Sequence, residues 1–314
     1  MADLAEAYPG AVLILTGGEP MTRPDVLELA AAGSDLGLSM ALSVDVGRLL
    51  TPETCERIRE VGVRRVSFSL HFPDAERSDR FAGTPGFFEG ALWGLANLRR
   101  AGVPFQLHTS VMRANAALLP RIHGLAGELG ADGWELFFLV PTGRGRLLAG
   151  EELAPGEQER VLRWLYRVRR RSPFPVKQIC APHFRRVEVQ SARERGERRP
   201  ERVTTRLTVS SRGCLAGNGF AFVSHVGDVC GCGFLPLSVG NVRDRPFSEI
   251  YRESPLFGAF RDPARLGGAC GACEFRAVCG GCRARAYAAT GDPLAEEPDC
   301  AYEPPRLRRL AATS

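Results

Sequence analysis

Eight of the ten cysteines in this chain fall between positions 214 and 300. They are Cys214, Cys230, Cys232, Cys270, Cys273, Cys279, Cys282 and Cys300. At their centre stands CGACEFRAVCGGC, two CxxC pairs with five residues between them. Thiolates are soft ligands that select zinc or iron–sulfur clusters. Structural zinc sites with paired CxxC motifs commonly place roughly 12–20 residues between the pairs. One zinc could still use the four thiols of the pairs, but Cys214, Cys230, Cys232 and Cys300 would then have no role. A [4Fe-4S] cluster takes about four thiolates, so eight suffice for two clusters. Iron–sulfur uses the whole comb and points to redox or radical chemistry. Cys55 and Cys180 stand outside it and read as small buried hydrophobes.

A second motif is Thr16-Gly17-Gly18-Glu19-Pro20, directly after the apolar run Ala11–Leu15. Two glycines let a backbone come close to a ligand. Pro20 fixes the exit of the turn, and Glu19 offers a carboxylate for a cation. Read alone, the segment is equally a plain strand-to-helix turn.

These residues must be positioned by the elements around them. The first half alternates strand and helix, with strands expected at Ala11–Leu15, Leu38–Val44, Val63–Leu70, Pro104–Val111 and Trp134–Val140. Helices are expected at Pro24–Ala32, from Thr51 with Pro52 at its first position, at Phe87–Ala101, Ala117–Leu129 and Pro155–Arg171. Repeated βα units of about 30 residues imply an α/β fold with a parallel sheet curled toward a barrel. In such a barrel the loops at the strand C-terminal ends build the active site. AVLIL is apolar on both faces, as an interior parallel strand is. An open apolar edge is avoided in natural sheets, so the sequence reading expects one more βα unit ahead of it. Ser191–Thr205 (SARERGERRPERVTT) reads as a charged, solvated loop. Beyond it the chain turns Gly- and Cys-rich, with a short strand at Phe220–Ser224 and a helix at Phe247–Glu253, a small domain held by metal. The expected domains are 1–172, a connecting segment 173–205, and 206–314.

Composition narrows the classes. The 314 residues carry 41 basic and 36 acidic side chains, a net charge of +5, with 44% hydrophobic residues. No basic stripe with interleaved aromatics points to nucleic acid. The mild positive charge suits an anionic small molecule. No apolar run reaches membrane-spanning length, and MADLAEAYPG has no signal-peptide core. Ten cysteines without a secretory signal suit a reducing cytoplasm.

Taken together, TGGEP and the cysteine comb resemble the radical S-adenosylmethionine (SAM) superfamily, in the branch with a C-terminal SPASM domain. The resemblance covers nearly the whole chain. It implies a partial (β/α)6 TIM-like barrel lacking its first βα unit, followed by an auxiliary iron–sulfur domain. It implies that Gly17, Gly18, Glu19 and Pro20 hold SAM. Ser69 (in SLHF, where His71 replaces an acid), Thr109, and Leu139 and Val140 of LVPTGRG match further SAM-contacting loops. Ser78-Asp79 and Ala82-Gly83-Thr84-Pro85-Gly86 resemble a conserved-type HD…RGxPG segment, and Asn115 fits a "T…N" pattern with Thr109. Cys270, Cys273, Cys279 and Cys300 look like ligands of a distal cluster. Cys214, Cys230 and Cys282 look like ligands of a proximal one, with either Cys232 as its fourth or an open iron site. The superfamily also carries CxxxCxxC after its first strand, which this sequence does not contain. The expectation is that the chain is an N-terminally truncated reading of a longer enzyme, with a third cluster in the full form.

FFLVPTGRG, Ala181-Pro182-His183-Phe184-Arg185-Arg186, GNGFAFVSHVGDV and GFLPLSVGNVRD further resemble proteins of haem and haem d1 biosynthesis. This resemblance implies a tetrapyrrole side-chain oxidation such as decarboxylation, fed by a reductase such as flavodoxin or ferredoxin. Arg144, Arg185 and Arg186 are candidates for propionate pairing, and His183 or His225 for approach to a substrate iron. A peptide maturase of the PQQ or mycofactocin type is the alternative substrate class. A non-catalytic 4Fe-4S electron carrier or scaffold is the alternative of another kind.

Overall fold

The computed structural model describes residues 1–196 and 212–311. In chain order the elements are α1 (Ala2–Ala7), β1 (Val12–Leu15), α2 (Val26–Asp35), β2 (Ser39–Val44), α3 (Pro52–Glu60), β3 (Arg65–Ser69) and α4 (Ala75–Ala82). There follow α5 (Phe87–Arg100), β4 (Phe105–Val111), α6 (Leu119–Leu129), β5 (Gly133–Phe138), α7 (Pro155–Arg169), β6 (Val176–Ile179) and α8 (Phe184–Glu194). The Cys-rich part adds β7 (Phe222–Val223), β8 (Asp228–Cys232), β9 (Leu235–Asn241), α9 (Phe247–Glu253), α10 (Pro255–Arg261), α11 (Gly268–Ala272), α12 (Arg283–Thr290) and α13 (Pro305–Ala311). The chain forms two compact units, Met1–Leu136 with Ser172–Lys177, and Phe137–Arg171 with Gln178–Ser314. That division differs from a boundary at 172. Helix α7 pairs with α8 through Arg186–Glu159 and Arg169–Glu188 ion pairs, which puts it in the second unit.

The first unit is built on six parallel strands in the order β1-β2-β3-β4-β5-β6, a half-barrel. Among the described residues β1 pairs only with β2, Val12 opposite Ser39. It is therefore an edge strand, with Val12 41% and Ile14 46% exposed. The helices form where their caps and apolar stripes say. Thr51 Oγ1 accepts the Thr54 N–H, Pro52 takes the first turn, and Cys55 and Ile58 turn inward. Asp74 caps α4, and Asp79 reaches forward to accept the N–H groups of Gly86 (2.7 Å) and Phe88 (2.9 Å) at the start of α5. Helix α5 lies close against the Gly47 turn. A Cβ on Gly47 would meet Gly90 O at 2.3 Å, and one on Gly94 would meet Gly47 O at 2.4 Å. Strand β4 alternates buried and half-buried positions along its length, so one face packs on helices and the other lines the barrel.

The second unit has an antiparallel β7-β8-β9 sheet. Val140, Val229, Leu235, Ile250, Phe257, Phe260 and Cys282 cluster as its apolar core. The expected solvated loop at 191–205 is in part helix. Ser191–Glu194 close α8, with Ser191 and Ala192 buried, because they share the helix face of Phe184 and Val187. Residues 197–205 lie outside the described residues. Among the described residues no helix is long and apolar enough to cross a membrane.

Candidate iron–sulfur and cofactor sites

The TGGEP turn leaves β1 with Gly17 at φ +148°. A Cβ on Gly17 or on Gly18 would meet nothing within 4 Å, and both glycines are exposed. The open backbone is a cradle that a ligand can approach. Glu19 does not offer a free carboxylate. One oxygen accepts the Met21 N–H (2.9 Å), and the other accepts the N–H groups of Asp45 and Val46 (2.8 Å each), tying the turn to the end of β2. Pro20 is buried beneath it.

Thr109 is fully buried. Its hydroxyl donates to Leu70 O (2.7 Å) and accepts from Trp134 Nε1 (2.9 Å). It bridges β3, β4 and β5 instead of facing a ligand. Asn115 is likewise buried, accepting from Met112 N and donating to His71 O and Ser110 O. Ser78 donates to Phe72 O. Ser69 is half-buried at the C-terminal end of β3, the place a ligand contact needs.

The sequence reading missed a polar ladder across the barrel-lining face. Arg65 donates to Gln106 Oε1 (3.1 Å), and Gln106 Nε2 meets His108 Nε2 at 2.8 Å. His108 lies 3.4 Å from Glu135, and Lys177 lies 3.6 Å from it. Burial pushes the Glu135 carboxyl up, but His108 and Lys177 outweigh this and hold it below the usual range. The signal was present as Gln106, His108 and Ser110 at every second position of β4. Beside the ladder, burial and then the His108 charge lower His71 to about 4. Its Nδ1 accepts the Ser110 N–H.

In the second unit, Cys270, Cys273, Cys279 and Cys300 line one cavity of about 40 Å³ with His183, Arg186, Glu297 and Tyr302. Donors point at the sulfurs. Glu297 N lies 3.3 Å from Cys270 Sγ, and Phe275 N lies 3.4 Å from Cys273 Sγ. Arg283 Nη2 and Arg186 Nη2 approach Cys270 and Cys300 at 3.9 Å each. Gly281, at φ +60°, makes room, because its Cβ would stand 3.0 Å from Cys270 Sγ. His183 is 1% exposed on the cavity wall, and neither ring nitrogen has a hydrogen-bond partner. Burial lowers its pKa to about 4. Four soft sulfurs around a void, met by N–H donors and an unpartnered imidazole, fit an iron–sulfur cluster. No three His, Cys, Asp or Glu side chains converge on a single-ion site among the described residues.

A second group lies in the apolar core. Cys180, Cys214 and Cys232 pack against the cluster that contains Cys282. The neighbouring Cys180 lowers Cys282 to about 7, and Cys282 in turn raises Cys180. Burial, followed by Cys282 and Cys214, raises Cys232 to about 12. Cys180 is thus not the isolated hydrophobe its sequence position suggests. Burial, followed by the Asp228 charge, raises the Cys230 thiol.

Arg285 ties this region together. Its guanidinium donates to Leu139 O (3.1 and 2.7 Å), Cys180 O (3.0 Å) and Glu297 Oε1 (3.0 Å), and pairs with Asp299 (2.9 Å). The Leu139 carbonyl is engaged there, and Val140 is buried in the core. Arg186 is also committed. It pairs with Glu159 (2.9 and 2.6 Å) and Gln190, and stacks over Tyr302 at 5.1 Å. Arg185 bonds Glu188. Neither the buried His183 nor the buried Arg186 presents itself to an outside ligand. His225 is exposed on the β7–β8 turn, and the Arg144 side chain lies outside the described residues.

Comparison with known proteins shows the family. The radical SAM superfamily profile matches residues 1–113, and the SPASM iron–sulfur cluster-binding domain matches residues 214–274. The chain belongs to the radical SAM superfamily, in the branch that carries a SPASM domain. Within that branch it is similar to the AdoMet-dependent heme synthase of Methanosarcina barkeri. The two are 47% identical over 293 residues, covering 93% of this chain and 83% of the relative. The AdoMet-dependent heme synthase of Nitratidesulfovibrio vulgaris is 45% identical, covering 97% and 83%. The crystal structure of Streptococcus suis SuiB bound to precursor peptide SuiA superposes with a TM-score of 0.70 at 14% identity, covering 93% of this chain and 65% of that one. This last likeness shows the fold alone.

Proposed function

We propose that the chain is a radical SAM/SPASM haem-biosynthesis enzyme acting on the propionate side chains of an iron-tetrapyrrole. The observation that carries this reading is the 47% identity with an AdoMet-dependent heme synthase along nearly the whole chain. The buried sulfur groups supply the setting. SAM would supply one-electron chemistry here only together with a reducing cluster of the CxxxCxxC type, a motif that this sequence does not contain. The chain's own residues do the rest. Gly17 and Gly18 open their backbone to the methionine end of SAM, and Glu19 and Pro20 hold that turn in place. Ser69 adds a hydroxyl at the rim. Cys270, Cys273, Cys279 and Cys300 hold one auxiliary cluster, shielded from water by Phe275 and Tyr302. The Cys-rich core holds a second. A reductase such as flavodoxin or ferredoxin supplies electrons, and the reducing cytoplasm keeps the thiols free.

His225 is the candidate substrate ligand open to an iron-tetrapyrrole. It stands between Val223 (43% exposed) and Val226 (44% exposed), and these suit a flat apolar ring. Arg185, partly exposed, is the remaining candidate for a propionate. Titration with iron-coproporphyrin tests the reading through the Soret band. A saturable shift in the wild type, lost in His225→Ala, is the expected result. No shift in the wild type overturns the tetrapyrrole substrate. An unchanged shift in His225→Ala removes that ligand alone.

A further inference from the structure

We propose that Cys180, and not Cys230, completes the second cysteine group, so that Cys180, Cys214, Cys232 and Cys282 ligate one iron–sulfur cluster. The inference rests on the iron–sulfur reading of that group and names its ligands. Three observations carry it.

The first is which sulfurs meet. Cys180, Cys214 and Cys232 all lie against the apolar cluster that contains Cys282, and Cys282 and Cys232 are near enough to Cys180 to raise its thiol. Cys214 and Cys232 each feel Cys282. All four pack on one apolar cluster. Cys230 shares strand β8 with Cys232, but the β8–β9 register is irregular on both sides of it. The two therefore do not follow simple alternation.

The second is the backbone. Cys180 is the sole non-glycine residue with positive φ, +59°, among the described residues. Side chains resist this conformation, and it persists where the surroundings impose it, commonly at functional sites. The imposing group is visible. Arg285 Nη2 holds the Cys180 carbonyl at 3.0 Å. Arg285 lies on α12, the helix that Cys282 itself caps. One helix thus sets both the Cys180 backbone and the Cys282 sulfur.

The third is the chemistry around the sulfurs. Backbone groups of Ala216 and Arg283 act to lower Cys214, those of Phe234 and Leu235 to lower Cys232, and that of Arg285 to lower Cys282. Surroundings that lower a buried thiol suit metal-bound thiolates and tune a cluster's potential. The Arg285 cation offsets the added negative charge. The four ligands come from four separate segments of the second unit.

The test is anaerobic reconstitution with iron and sulfide, followed by alkylation and mass mapping, with and without removal of iron by a chelator. The expected result is that Cys180 is protected in the iron-loaded protein and alkylated after iron removal, while Cys230 reacts alike in both. Cys180→Ser and Cys180→Asn should each lose about half of the roughly eight irons that two clusters supply. Asparagine tolerates positive φ, so Cys180→Asn separates lost ligation from lost folding. Cys230→Ser should keep its iron. Protection of Cys230 in place of Cys180, or full iron in Cys180→Asn, overturns the assignment. A Cys180–Cys282 disulfide in the iron-loaded protein also overturns it. A wild type that takes up no iron–sulfur cluster refutes the underlying reading instead.

Discussion

Replacing Arg285 tests the buried charge centre most directly. Arg285 and Glu297 are each about 1–2% exposed in their side chains, and Asp299 is 17% exposed. The guanidinium also satisfies the carbonyls of Leu139 and Cys180. Arg285→Met keeps the stem and removes the fork. It leaves a buried carboxylate without its partner, and breaking such a pair costs about 3–5 kcal/mol. The two orphaned carbonyls push the loss toward the upper end. For a unit of this size the melting midpoint should fall by roughly 6–20 °C. A partner change sharpens the test. In Arg285→Met/Glu297→Gln the stranded charge is gone, so about half of the loss should return. The Glu297 carboxyl, pushed up by burial, is held down by Arg285, so the double variant removes the group that suffers most. Calorimetry of the four proteins gives the coupling energy. Hydrogen exchange along α12 shows whether the loss is local. A single-variant loss under about 1 kcal/mol, or strictly additive effects, refutes the claim that this pair holds the Cys-rich core.

Other consequences are smaller and separable. His71 titrates near 4 in the folded chain, against 6.5 ordinarily. The unfolded chain therefore takes up its proton first, so this contribution is complete above about pH 6.5 and is lost as pH falls toward 4, by up to about 3 kcal/mol. His71→Gln should flatten the urea midpoint over that window, and an identical slope would show that burial of His71 does not set it. Gly281→Ala forces φ +60° on a side chain and brings its Cβ to 3.0 Å from Cys270 Sγ, costing roughly 1–3 kcal/mol. Gly291→Ala, at φ +78° with open space around it, isolates the backbone share. Glu19→Gln gives up an acceptor facing the Asp45 and Val46 amides, worth about 1.5 kcal/mol in this exposed turn. Those two amides should exchange faster, and unchanged rates would sink the clamp.

The barrel was legible because its signals are local. Five strands and their helices sit within a few residues of where apolar runs and Thr51-Pro52 place them. Strand β6 escaped notice because VKQI buries only Val176. Helix α4 was hidden inside a segment read as a motif, although Asp74 caps it. The TGGEP glycines stand in open space, while the Glu19 carboxylate and the Thr109 hydroxyl have partners that spacing does not announce. A side chain's hydrogen-bond partners across strands leave no trace in spacing.

The two cysteine groups show where spacing stops being informative. The distal set is nearly contiguous, so CxxC geometry brings Cys270, Cys273 and Cys279 together on one tight turn around α11. Only Cys300 must come from elsewhere, and Glu297 places it, because its backbone N–H meets Cys270 while its carboxylate meets Arg285. The second set draws on segments up to 102 residues apart in sequence, from Cys180 to Cys282. Counting along the chain favours Cys230, since it stands two residues from Cys232. Three-dimensional packing favours Cys180, since Arg285 bends its backbone into a conformation that no local signal announces. A cysteine outside a metal comb is therefore best judged by what twists its backbone and what its sulfur meets. By that measure, Cys180 belongs with the comb and Cys230 stands beside it.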